Sequence, residues 1–162
     1  GAMHVEQREV RGAEVARRAV APLATAMDLR DVNLVLELDE TATFQGDAPW
    51  TAQPVENIAK NCMEHTPPGG TVTVAVSEDA LATTIAVSDT GPGIAPEDLP
   101  HIFERFYRGG AVEEANVAQP AGFGIGLSLA QALVSAQGGT LRASNNPAGG
   151  ARFEIPFPKP VV

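Results

Sequence analysis

The stretch TVTVAVSEDALATTIAVSDTGPGI, residues 71–94, decides the fold of this chain. It begins with two runs, 71–79 and 80–89, that are rich in β-branched residues, and the tight connection between them predicts a β-hairpin. Asp89 ends the second run, and Gly91 and Gly93 follow it. Asp and Gly are ordinary turn residues, but a carboxylate at the end of a buried strand can also accept a hydrogen bond from a ligand amine. The residues leave both interpretations open.

Outward from this hairpin, strand patterns alternate with helix patterns. Periodicity predicts helices over 6–27, 47–66 and 122–139, strands over 32–39 and 41–47, and a last hairpin within 140–157. Pro22 is expected to end or kink the first helix, Asp47 to cap the second, and Pro54 to disturb it. Segment 41–47 is predicted to pair with 32–39 across a turn, because strands that are neighbours in sequence are expected to pair antiparallel. The order predicts an α+β fold, with one mixed, mostly antiparallel sheet and about three helices on one face.

Size and charge limit the function. The 162 residues suit one domain, and a formal net charge of −9, from 11 basic and 20 acidic residues, disfavours nucleic acid and anionic membrane surfaces as partners. The single cysteine, Cys62, forms no internal disulfide, and no apolar run approaches the ~20 residues of a membrane span. We therefore expect a cytoplasmic domain without membrane contact of its own, whether or not its parent protein is anchored in the cell membrane. Residues 1–4 resemble a cloning remnant, 5–158 are expected to form the domain, and 159–162 a tail.

Three polar residues of the second predicted helix, Asn57, Asn61 and Glu64, are spaced so that they lie on one face. Amide and carboxylate oxygens are ligands that Mg²⁺ accepts together with phosphate and water. The same row also suits a helix face that is simply solvated.

Residues 90–121 interrupt the regular pattern with many Gly, Pro and charged residues, and such a long stretch is usually functional or mobile. Phe103 and Phe106 are apolar anchors, or the buried rings of an ordinary short helix, and Arg105 and Arg108 can reach phosphate. The glycines of GFGIG, 122–126, open the third helix, where free N–H groups can close on phosphate, although this spacing alone is a weak signal.

Taken in order, NIAKNCMEHTPPGG, DTGPGI, FERFYR and GFGIGLSLAQALVSAQGG resemble the N, G1, F and G2 boxes of the catalytic and ATP-binding domain of sensor histidine kinases. That family belongs to a superfamily shared with DNA gyrase B and the Hsp90 chaperones. The resemblance covers about residues 8–157, and it implies a two-layer α/β sandwich of the Bergerat (GHKL) type. ATP or ADP, with Mg²⁺, would lie between the layers under a lid formed by about 95–121.

The resemblance also implies roles for single residues. Asn61 matches the Mg²⁺ ligand, and Asp89 matches the carboxylate that accepts the adenine amino group. The residues implied in catalysis are Asn57, Asn61, Arg105 and Arg108. The positions implied in nucleotide binding are Asn57, Asn61, His65, Asp89, Gly91, Gly93, Ile94, Phe103, Phe106, Gly122, Phe123, Gly124, Ile125, Gly126 and Leu127.

Two positions depart from relatives. Glu64 stands where many family members carry Lys or Arg, so we expect it to make no direct phosphate contact. Asn57 stands where gyrase-like relatives place the Glu that activates water, and an amide cannot act as a general base. The neighbouring Glu56 is rotated by ~100° around the helix, so it is badly aimed for that role.

We therefore expect transfer of the γ-phosphate to a histidine on a separate dimerisation and phosphoacceptor domain, with a response regulator as a further partner. His4, His65 and His101 match no acceptor pattern, and the acceptor domain is expected to precede this chain in its parent. The alternatives are a gyrase- or Hsp90-like ATPase, a nucleotide-binding module without turnover, and an anti-sigma type of serine kinase, whose members usually lack the Phe-x-x-Phe segment.

Overall fold

A computed structural model describes residues 7–105 and 126–160 of the chain. Its helices are α1 (Gly12–Val20), α2 (Ala24–Leu29), α3 (Ala48–Glu64) and α4 (Leu127–Ser135), with 3₁₀ turns at Ala21–Leu23 and Leu99–His101. Its strands are β1 (Arg8–Arg11), β2 (Asn33–Leu38), β3 (Thr43–Gly46), β4 (Thr71–Glu78), β5 (Ala82–Asp89), β6 (Arg142–Asn145) and β7 (Ala151–Pro158).

The strands form a five-stranded sheet in the order β2-β4-β5-β7-β6 and a separate two-stranded sheet of β1 and β3. In the large sheet only β2 and β4 run parallel, while β4–β5, β5–β7 and β7–β6 are antiparallel. Helices α1 and α3 both pack on β4 and β5, and α3 also contacts α4. The predicted α+β fold, a mixed and mostly antiparallel sheet with a helical layer on one face, is confirmed.

One pairing prediction is wrong. Segment 41–47 does not pair with 32–39; instead β3 pairs antiparallel with β1, and β2 pairs in parallel with β4. The parallel register sets Leu34, Leu36 and Leu38 beside Val72, Val74 and Val76; Leu34 and Leu38 pack against the core, while Leu36 stays 39% exposed. The short, half-polar β3 offers no such row, and burial of apolar surface therefore favours the long-range pairing.

The start of the chain also differs from the prediction. Residues 8–11, expected to begin the first helix, are extended and form β1, whose Val10 is buried against the core. The helical pattern is interrupted as expected around Pro22, which sits in the 3₁₀ turn between α1 and α2. A proline fits such a turn because its missing N–H would be unpaired there in any case.

Helix α3 carries the polar row and begins where the sequence predicts. The Asp47 carboxylate accepts a hydrogen bond from the Trp50 N–H at 3.1 Å and caps the helix. Pro54 was expected to disturb this helix, but α3 runs through it, and Pro54 is itself buried. Packing against α1, α4 and the sheet offsets the backbone hydrogen bond that proline cannot make. Across the described ranges 7–105 and 126–160, none of the helices combines the length and apolarity needed to cross a bilayer.

Candidate functional site

The Asp89 carboxylate lies at the end of β5, where the residue is only 5% exposed. Its Oδ1 accepts two backbone hydrogen bonds, from the Gly91 N–H at 2.9 Å and from the Ala151 N–H at 3.0 Å. The two donors come from different segments, so together they fix the orientation of the carboxylate. Because both backbone bonds fall on Oδ1, Oδ2 keeps lone pairs for a further donor.

The Cys62 thiol approaches the same carboxylate from α3. Complete burial raises the pKa of this thiol well above its usual value, and the charge of Asp89 and a hydrogen bond to it act in the same direction. The side chain is therefore a neutral thiol at physiological pH, and it can donate weakly to Asp89.

Glycines allow the backbone segments around Asp89 to come close together. A Cβ on Gly91 would lie 2.4 Å from the carbonyl oxygen of His65, and a Cβ on Gly150 would lie 1.8 Å from that of Asp89. Both distances are far below van der Waals contact. Gly150 also has φ +92, a conformation that other residues rarely adopt. The ends of α3, β5 and the β6–β7 turn thus meet at Asp89 only because these positions carry no side chain.

The polar row of α3 is only partly solvated. Asn61 is 4% exposed, whereas Asn57 and Glu64 are half-buried. The Asn57 Oδ1 accepts a hydrogen bond from Gln53 Nε2 at 3.1 Å on the exposed side of the helix. Of the two ends of the Asn61 amide, Nδ2 is buried and has no hydrogen-bond partner within the described part of the chain.

These residues fit the cofactors that the resemblance implies. Asn61 is 4% exposed and its amide Nδ2 has no hydrogen-bond partner within the described residues, so this amide is a buried polar group that its own surroundings leave unsatisfied. The described residues contain no group of three His, Cys, Asp or Glu side chains that could enclose a metal. A single amide oxygen suits Mg²⁺, which commonly keeps its waters and takes its other ligands from substrate phosphates. At Asp89, an oriented acceptor in a buried setting suits the amino group of a base.

His65 follows the end of α3 and is exposed as a residue, but packing removes part of the hydration of its imidazole. This desolvation lowers the pKa of His65, while the Asp89 and Glu64 carboxylates oppose the shift. The ring is therefore mainly neutral at pH 7 and lies within the field of two acidic groups.

The described part of the predicted lid, 95–105, is attached to the core by its apolar side chains. Ile102 is fully buried, and the Phe103 ring meets the Phe153 ring edge-on with a centroid separation of 6.4 Å. Phe103 thus acts as an anchor on the sheet, while Arg105 is exposed.

After the predicted lid, 95–121, the structure describes the chain again from Gly126, which precedes α4, and Leu127 is fully buried. Six predicted site residues lie outside the described residues: Phe106, Arg108, Gly122, Phe123, Gly124 and Ile125.

The last hairpin also contributes to the site, and this contribution was not predicted from the sequence. Ala151 supplies a donor to Asp89, Gly150 packs on the Asp89 carbonyl, and the Asn145 side chain binds the backbone of Ile94. The sequence NNPAGG signals a turn, but nothing local shows that this turn meets residues 89–94. Only the strand order, with β7 beside β5, brings the two together.

Comparison with known proteins agrees with this geometry. The family model described as "Histidine kinase-, DNA gyrase B-, and HSP90-like ATPase" matches residues 46–161. The chain is 32% identical over 155 residues to the sensor protein IrlS of Burkholderia pseudomallei, an alignment that covers 96% of this chain and 32% of IrlS.

Solved structures show the same fold. A mycobacterial sensor histidine kinase MprB structure superposes with a TM-score of 0.79 at 27% identity, covering 96% of this chain and 99% of that one. Full-length ShkA in complex with AMPPNP superposes with a TM-score of 0.79 at 23% identity, covering 100% of this chain and 33% of ShkA. The chain thus spans about a third of the full-length sensor proteins it matches.

Proposed function

Since the chain belongs to the family of histidine kinase-, DNA gyrase B- and HSP90-like ATPases and has the fold of histidine kinase catalytic domains, we propose that it binds Mg-ATP and donates the γ-phosphate to a histidine. The observation that carries the proposal is the buried Asp89 carboxylate, held by two backbone N–H groups on one oxygen. The other oxygen accepts the adenine amino group, and this hydrogen bond selects adenine.

The phosphate end of the nucleotide is assigned to α3. Asn61 would hold Mg²⁺ through its amide oxygen, and the ion would supply charge neutralisation to the nucleotide phosphates. His65, largely neutral, lies beside the phosphates at the end of the same helix. Arg105 and Arg108 of the lid provide the positive charge that the row Asn57, Asn61 and Glu64 lacks.

In the transfer step, a ring nitrogen of the acceptor histidine attacks the γ-phosphorus. The bond between that phosphorus and the β–γ bridging oxygen breaks, and ADP leaves with the electron pair. The chain contributes position and electrostatics to this step, which needs little covalent help from the protein. Asn57 cannot accept a proton from water, so hydrolysis of the gyrase type is disfavoured.

The acceptor histidine belongs to a dimerisation and phosphoacceptor domain of the same kinase, and the phosphoryl group then passes to a response regulator. Relatives matched here are about three times longer than the chain, which leaves room for such a domain in the parent protein. Nucleotide binding to ShkA, whose structure holds AMPPNP, supports the assignment of the ligand class.

Calorimetry with Mg-ADP and with the non-hydrolysable analogue AMPPNP tests nucleotide binding directly. We expect saturable binding of both, and loss of most of the affinity when Mg²⁺ is chelated. Absence of binding at millimolar nucleotide would overturn the proposal.

Transfer is tested by adding the purified phosphoacceptor domain of the parent kinase and detecting acid-labile, base-stable phosphohistidine. The chain alone is expected to show little phosphate incorporation. Rapid steady-state phosphate release by the chain alone would favour the ATPase alternative, and binding without transfer would favour the module without turnover.

A further inference from the structure

The backbone of Ile94 is held by a side chain from another part of the fold. The Ile94 N–H donates to Asn145 Oδ1 at 2.7 Å, and Asn145 Nδ2 donates to the Ile94 carbonyl at 2.7 Å. A primary amide carries the donor and the acceptor of a peptide group, so Asn145 pairs with Ile94 as a neighbouring strand would. Both bonds are short and partly buried, and Asn145 lies at the end of β6.

The turn that follows Asn145 contacts the other end of segment 89–94, at Asp89. Ala151, the first residue of β7 after this turn, donates to the Asp89 carboxylate, and Gly150 lies directly against the Asp89 carbonyl. The turn is closed internally by the Asn146 N–H, which donates to the Gly150 carbonyl at 2.8 Å. Asn145 at one end, and Gly150 and Ala151 at the other, therefore hold segment 89–94.

Between these two ends, Gly93 packs closely against the Asn145 side chain. Gly93 has φ +82, and a Cβ there would lie 2.9 Å from Asn145 Oδ1. Ile94 is 8% exposed and belongs to the hydrophobic core. Removing the Asn145 amide would take away the side-chain partner of both the Ile94 N–H and the Ile94 carbonyl, at a site that is partly buried. The segment would relax away from the position that it holds next to Asp89.

We propose that Asn145 is a positioning residue for the nucleotide base. It touches no ligand atom; it fixes Gly93 and Ile94, and through them the corner that begins at Asp89. This inference rests on the proposed function, which places adenine against that corner. Asn145 is therefore expected to affect the binding of the base and not of the phosphates, which are assigned to Asn61 near the end of α3.

The test compares a neutral ligand that has only the base and ribose with the complete nucleotide. Adenosine binding is measured by NMR titration and Mg-ADP binding by calorimetry, for the unmodified chain and for Asn145→Ala and Asn145→Asp. Aspartate has the size of asparagine but cannot donate to the Ile94 carbonyl when ionised, so it separates a lost hydrogen bond from a cavity. Melting curves set a temperature at which every variant is folded.

Two further variants serve as controls. Asn146→Ala changes the neighbouring side-chain amide, whose hydrogen bond from Nδ2 to the Ala151 carbonyl is long at 3.5 Å. Asn61→Ala removes the proposed Mg²⁺ ligand at the phosphate end. We expect both Asn145 variants to bind adenosine and Mg-ADP about tenfold more weakly, Asn146→Ala to bind as the unmodified chain does, and Asn61→Ala to lose affinity for Mg-ADP alone.

The outcomes separate the two proposals. If the unmodified chain binds no Mg-ADP, the proposed function fails and the role of Asn145 falls with it. If the unmodified chain binds, but folded Asn145→Ala and Asn145→Asp bind adenosine as tightly as Asn146→Ala does, the role of Asn145 alone is overturned. A loss of Mg-ADP affinity without a loss of adenosine affinity would also overturn it, because the effect would then lie at the phosphates.

Discussion

Replacement of Asp89 by asparagine isolates the recognition of the base from the stability of the fold. The new side chain keeps Oδ1, which can still accept from the Gly91 and Ala151 N–H groups at the observed 2.9 and 3.0 Å. The second position becomes an NH₂ group, which donates and cannot accept. In the proposed complex this NH₂ group faces the adenine amino group. Two hydrogen-bond donors are then opposed, whereas in the unmodified chain the Asp89 carboxylate oxygen accepts from the adenine amine.

The expected magnitude follows from the hydrogen bonds involved. Loss of a hydrogen bond between a charged acceptor and the base costs about 1.5–3 kcal/mol, equivalent to roughly tenfold to hundredfold weaker binding of Mg-ADP. Because the backbone bonds survive in weaker form, Asp89→Asn should lower the free energy of unfolding by only about 1 kcal/mol. Asp89→Ala, by contrast, leaves two backbone N–H groups unpaired and should lower it by about 3 kcal/mol.

The assay combines thermal melting with calorimetry of Mg-ADP binding. Asp79→Asn is a matched control, because Asp79 Oδ1 also accepts two backbone hydrogen bonds, from Leu81 at 2.8 Å and Ala82 at 2.9 Å, but in an exposed hairpin turn. The control should leave nucleotide affinity unchanged. If folded Asp89→Asn binds Mg-ADP as tightly as Asp79→Asn does, Asp89 does not read the base and the proposed function loses its main support.

Three further outcomes are expected. Glu64→Lys replaces a repulsive charge near the proposed phosphate site by an attractive one, so calorimetry should show about tenfold tighter ADP binding and a weaker dependence on Mg²⁺; unchanged binding would place Glu64 away from the phosphates. An NMR titration should give His65 a pKa below 6.5, and Glu64→Gln should lower it further, because a carboxylate that stabilises the imidazolium is lost. The Cys62 pKa is raised from 9.0 by burial, so above pH 9 the unfolded thiol ionises while the native one does not. Stability should therefore fall there, by up to about 1.4 kcal/mol per pH unit from this group, and Cys62→Ala should remove that component of denaturation curves measured against pH.

Segments whose structure is decided by nearby residues are those that the sequence predicts well. The β4–β5 hairpin, the Asp47 cap of α3 and the β6–β7 hairpin all follow from alternation, capping and turn residues within about ten positions. The predicted partner of β2 failed because pairing depends on which strands share the apolar face of the sheet. That choice is made by β4, more than thirty positions further along the chain.

The candidate site shows the same contrast between features decided by nearby residues and features decided by long-range contacts. Asp89, Gly91 and Asn61 stand out because their residue types and spacing carry chemistry, and the resemblance to a family assigns them roles that stay predictions until binding is measured. Asn145 and Ala151 carry no such signal: an amide and a backbone N–H become informative only when the fold sets them against Ile94 and Asp89, 51 and 62 positions away. Such positioning contacts are long-range, and a residue pattern within one segment cannot contain them.

The Asp89 side chain is both a turn residue and the proposed acceptor for the ligand. The sequence left open whether this aspartate is a turn residue or a ligand acceptor, and the hydrogen bond from the Gly91 N–H, two residues on, is that of an ordinary Asp turn. The turn does not compete with ligand binding, because it occupies Oδ1, as does the bond from Ala151. By holding one oxygen in place, the turn fixes the direction in which the other can accept a hydrogen bond. The turn interpretation is therefore part of the binding hypothesis, since an aspartate without these bonds would have no fixed direction in which to accept a base.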